Sequence, residues 1–64
     1  MVLQMMTLFE KEQVQKAFQR CFGLKETLHS EDSLVKRAAI TSLAYQSGLR
    51  EEFIKNNLEE ILKL

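Results

Sequence analysis

Ser47-Gly48-Leu49-Arg50-Glu51-Glu52-Phe53-Ile54 decides how this 64-residue chain is read. Glycine tolerates the left-handed backbone that ends an α-helix, and a hydrophobic residue just after it can fold back over the last turn. Gly48-Leu49 therefore predicts a stop, with Leu49 able to cover Leu43 and Ala44, and a new helix starts at once. The same signal stands upstream as Gly23-Leu24, with Leu24 placed to pack on Phe18. Two stops divide the chain into three amphipathic segments. No proline interrupts them and no strand-like alternation is present.

Downstream of Gly48, Ile54, Leu58, Ile61 and Leu62 recur at i, i+4, i+7 and i+8, one face of a helix, with Phe53 to one side and Leu64 at the end. Glu51 with Lys55 and Glu59 with Lys63 form i,i+4 pairs on its wet face, each contributing a few tenths of a kcal/mol. Upstream, Ser30 is the expected N-cap of the middle helix, followed by Glu31 and Asp32 at the positive end of the helix dipole. Leu34, Ala38 and Tyr45 fall on one face of that helix, with Val35 at its edge, and Ile40, Leu43 and Ala44 on another. A helix apolar on several sides reads as a central one, and Ala38, Ala39, Ser42 and Ala44 are small enough to let neighbours approach.

The first segment opens on Thr7-Leu8-Phe9-Glu10, the pattern of a capping box. Behind it Val14, Ala17, Phe18 and Cys21 make one stripe, with Phe22 beside it. Leu3 and Met6 extend the stripe backward, so a start near Val2 competes with the start at Thr7. Lys25 to His29 form a connector with room for one turn of helix. The expectation is an all-α fold, a small three-helix bundle over residues 1–64, with helices at about 7–22, 31–47 and 50–63.

A domain of this size buries only about 60% of the surface its unfolded chain exposes, and one such core rarely nets more than about 3–5 kcal/mol. Disulfides, metals and oligomerisation are the usual supplements. Cys21 is the single cysteine and His29 the single histidine, so neither an internal disulfide nor a zinc-finger spacing exists. Completion by homodimerisation is the expectation that remains. Nine basic residues balance nine acidic ones, which gives no net attraction to polyanions and little resistance to self-association. The opening six residues are too short for a membrane span and lack a basic start, and with the solitary thiol this makes the cytoplasm the expected compartment.

His29-Ser30-Glu31-Asp32-Ser33 contains the residue types of a hydrolase triad, but a triad needs members converging from separate points of the fold. The segment is better explained as a helix cap. One imidazole with adjacent carboxylates is equally poor for a metal. Cys21 reads as a small hydrophobe in the core. No base–nucleophile pair and no glycine-rich phosphate loop is present, so neither an enzyme nor a bound cofactor is expected.

Ala44, Gly48, Leu49 and Ile54 occupy the small-residue, turn-glycine and hydrophobic positions of a helix-turn-helix, and this stretch of about twenty residues resembles that motif. The resemblance implies a DNA-binding regulator in which Asn56 and Asn57 read adenine edges. Glu51, Glu52, Glu59 and Glu60 on the would-be recognition helix oppose phosphate contact, which disfavours nucleic acid as the partner. The preferred expectation is a protein–protein interaction module, a regulator or adaptor that pairs with itself or with a larger protein. Its surface is expected to use Phe9, Phe22, Phe53, Leu62 and Leu64, which lie off the centres of their stripes or at element ends.

Overall fold

Thr7 closes the expected capping box: its Oγ1 accepts from the Glu10 amide at 3.1 Å, and the Thr7 amide donates to Glu10 Oε1 at 2.7 Å. This fixes the start of α1 (Leu8–Arg20) in the computed structural model, which describes residues 6–64. Of the competing start near Val2, Val2 and Leu3 lie outside the described residues, while Met6 is not helical and is buried at 5% exposure.

The described residues are all-helical, but five helices replace the expected three: α1, α2 (Leu24–Leu28), α3 (Ser33–Ser47), α4 (Glu51–Asn56) and α5 (Leu58–Ile61). The connector after Gly23 is itself a short helix, secured by Thr27 Oγ1 donating to the Gly23 carbonyl at 2.7 Å. Gly23 adopts the expected left-handed backbone (φ 85°), yet α1 has already ended at Arg20, because Cys21 turns extended (φ −114°, ψ 92°). At Gly48 the stop forms as expected: φ is 73° and its amide donates to the Ala44 carbonyl at 2.9 Å. Buried Ser47 reinforces this turn, donating to the Leu43 carbonyl at 2.6 Å and accepting from the Leu49 amide at 3.3 Å.

Two boundaries differ from expectation. Asp32, not Ser30, is the N-cap of α3; its Oδ1 accepts from the Leu34 amide at 2.9 Å and the Val35 amide at 3.4 Å. Both residue types cap well, and because the first turn winds from Ser33 it is Asp32 that stands at the cap position. Ser30 instead accepts from the Asp32 amide at 3.1 Å and shapes the approach. The expected last helix breaks at Asn57, whose ψ is 17°. Asn57 is 5% exposed, and its Nδ2 donates to the Phe53 carbonyl at 2.8 Å. Asparagine disfavours helix interiors by making such side-chain bonds to nearby backbone, and here the inward amide accompanies a kink that separates α4 from α5.

α3 packs against α1, α2 and α4, and α5 follows α4. The fully covered core is Val14 and Ala17 of α1, Leu28 of α2, Leu43 of α3, Ile54 of α4 and Ile61 of α5. Phe18, Cys21, Ala44, Leu49, Phe53, Leu58, Leu62 and Leu64 pack round it, partly buried. The Cα radius of gyration, 10.9 Å, is close to the roughly 10.7 Å expected of a folded chain this long. No helix among the described residues is long and apolar enough to cross a membrane.

Candidate interaction surface

α3 touches three neighbours, yet all of them lie on one side of it. Its buried residues are Ala39, Ile40, Leu43 and Ser47, a stripe at i, i+1, i+4 and i+8. Leu34, Val35, Ala38, Thr41, Ser42 and Tyr45 fall on the opposite side and are all exposed, Leu34 at 77% and Tyr45 at 85%. The central position inferred for α3 is thus correct for its contacts and wrong for its outer face. Among the described residues no element lies across that face.

The outer face departs from the usual solvent side of a helix, which carries charged groups. Between Leu34 and Tyr45 its six residues carry none. The two charges in that interval sit off the face: Lys36 on the core side, half-buried, and Arg37 on one flank. Glu51 of α4 reaches Thr41, where its Oε1 accepts from Thr41 Oγ1 at 3.1 Å; Thr41 Oγ1 also lies 3.2 Å from the Arg37 carbonyl.

The residues singled out from sequence divide into two groups. Phe22 is completely exposed and Phe9 is 67% exposed beside Leu8 at 80%. Phe22 lies beyond the end of α1, which stops at Arg20 as Cys21 turns extended. Phe53, Leu62 and Leu64 are only partly accessible and pack against the core. Phe53 lines an open depression of about 200 Å³ with Arg50, Glu52 and Asn56. Leu64 lines a second of about 340 Å³ with Phe18, Gln15, Gln19 and Lys25. Leu34 and Tyr45 are the surface residues that the sequence reading assigned to the interior. Their signal was already present in the two-sided apolar pattern of α3.

The segment His29 to Ser33 is exposed apart from half-buried Ser30, and its polar atoms serve the start of α3 as described above. Among the described residues, no three histidine, cysteine or acidic side chains gather where they could hold a metal ion. Cys21 is a half-buried free thiol packed on the core. Around the helix-turn-helix-like stretch, Gly48 makes the turn, Leu49 packs on the core and Ile54 is fully buried. The helix after the turn has six residues, with Glu51 and Glu52 exposed in its first turn, and the Asn57 amide is engaged by Phe53. Comparison with protein-family models, curated proteins and solved structures gives no match to this chain.

Proposed function

We propose that the protein is a small cytoplasmic interaction module, a regulator or adaptor that works by contact with a second protein surface and pairs with itself. The observation that supports this reading most is the uncharged outer face of α3, where Leu34 and Tyr45 stand in solvent while α1, α2 and α4 pack against the opposite side. Phe22 and the Leu8–Phe9 pair add apolar area elsewhere, available to a larger partner. Exposed apolar residues in contiguous groups mark contact surfaces, whereas isolated ones are ordinary.

The competing reading, a DNA-binding helix-turn-helix, draws on the Gly48 turn. Against it stand the acidic start of α4 and the engagement of Asn57 within the chain. Fluorescence anisotropy with random and genomic duplexes separates the two. A contact module gives nothing tighter than the non-specific range of about 10⁻⁴ to 10⁻⁶ M at physiological salt. A sequence-selective complex that weakens steeply with salt would replace the proposal with the DNA-binding reading. For the larger partner, affinity capture from the native host is compared between the wild type and Phe22→Glu: a partner retained by the first and lost by the second supports the reading, and identical capture by both counts against the Phe22 surface.

A further inference from the structure

We infer that the outer face of α3 docks antiparallel on the same face of a second copy, with Arg37 of each copy set against Glu51 of the other. This rests on the interaction-module reading and names its surface, its occupant and its geometry. Leu34, Ala38, Thr41 and Tyr45 follow one another at steps of four, three and four residues. That is the spacing of a coiled-coil seam, in which a stripe of one helix faces a stripe of another.

The order of sizes along the seam suits a second copy as the occupant. It runs large, small, small, large, so it reads alike from either end. A two-fold contact sets residue i on j wherever it sets j on i, so it brings the large Leu34 and Tyr45 together at both ends and the small residues together at the centre. Turning one copy end over end places each Tyr45 on the partner copy's Leu34 and brings Ala38 opposite Thr41 at the centre. The small central residues allow the helix axes to approach toward the lower end of the usual 8–10 Å. A parallel pairing would stack Tyr45 on Tyr45 at one end and Leu34 on Leu34 at the other, leaving the two ends unequally spaced and the helix dipoles aligned unfavourably.

Charge selects the same arrangement. In an antiparallel pair each flank of the seam meets the same flank of the other helix. Arg37, one turn from the Thr41–Glu51 hydrogen bond, then faces the level of Thr41 and Ser42 in the second copy, where that copy's Glu51 is held. Glu51 and Arg37 are not paired within one chain; among the described residues the ion pair is Lys11–Glu60. The two-fold axis generates the Arg37–Glu51 contact twice.

The seam spans eleven residue steps, about 17 Å of helix. A contact of that length falls below about 1,200 Å² of total buried surface, at the weak end of specific interfaces. Dimerisation is therefore expected between about 10 µM and about 1 mM, not at nanomolar concentration.

Sedimentation equilibrium over that range tests the geometry with charge-swapped chains. The wild type should approach twice its monomer mass. Arg37→Glu and Glu51→Arg, each of which sets like charges together twice, should weaken self-association at least about fivefold. An equimolar mixture of the two variants pairs opposite charges at both contacts and should recover the wild-type association. Tyr45→Glu should remain monomeric with unchanged helical circular dichroism. A wild-type dimer indifferent to all these changes overturns the α3 surface while leaving self-pairing intact. A wild type that stays monomeric to about 1 mM overturns both the inference and the self-pairing half of the functional reading, and Phe22-dependent capture then decides the other half.

Discussion

On one side of α3, Ile40 and Leu43 are sealed under three neighbouring helices; on the other, Leu34 and Tyr45 are open to water. Both faces are apolar and lie on the same two or three turns of the same helix. Hydrophobic character therefore states that a face favours being covered, and says nothing of whether the cover comes from the same chain. In a larger protein a second layer would bury the outer face. Here the described helices cover the inner one alone.

The contrast breaks first at Leu43. Leu43→Ala removes a fully buried side chain and should cost about 2–5 kcal/mol, comparable with the whole stability of a core this small. Tyr45→Ala, measured by urea unfolding at a concentration too low for pairing, should stay within about 0.5 kcal/mol of the wild type. Equal losses at the two positions would mean that the outer face is packed within the monomer.

Gly48→Val probes the turn that lets α4 return to the inner face. Nothing lies within 4 Å of the position a β-carbon would take, so the cost comes from the backbone alone. At φ 73° a β-branched residue should destabilise by more than about 1 kcal/mol. An unchanged melting temperature would remove the left-handed stop from the account.

Asp32→Ala should cost about 1 kcal/mol through loss of the α3 cap, and Ser30→Ala distinctly less, since Ser30 supports only the approach to it. Thermal unfolding of the two variants side by side checks the order, and the reverse order would restore Ser30 as the cap. Lys11→Ala is the smallest change. Its ion pair with Glu60, at 3.4 Å and more than a third exposed on both sides, should contribute between nothing and a few tenths of a kcal/mol.

The elements legible in the sequence are those decided by a few adjacent residues. The Thr7–Glu10 box and the Gly48 stop each close within four residues and appear where expected. Asn57 was not legible as a break, because its effect requires the side chain to be drawn inward, and burial depends on packing against distant residues. Ser30 and Asp32 are both good caps by type; which of them caps depends on where the first turn winds up. The exposed apolar surface was legible only in part. Phe9 and Phe22 could be recognised as lying off their stripes, and both are exposed. Phe53, Leu62 and Leu64 lie off the centre of their stripe or at an element end by the same rule, yet they are partly buried against the core. Leu34 and Tyr45 read as interior, since periodicity locates an apolar side without showing what lies against it.

The claim at the centre of this account is that another molecule covers the outer face of α3, and that a second copy can do so. Amide and side-chain resonances followed by NMR on dilution from about 1 mM to about 10 µM, the range in which a contact of this size dissociates, test it residue by residue. The expected result is a set of concentration-dependent shifts at Leu34, Arg37, Ala38, Thr41, Ser42, Tyr45 and Glu51, with Ile40 and Leu43 on the inner face unmoved. Shifts confined to Phe22 or to Leu8 and Phe9, or a spectrum that does not change on dilution, would contradict it.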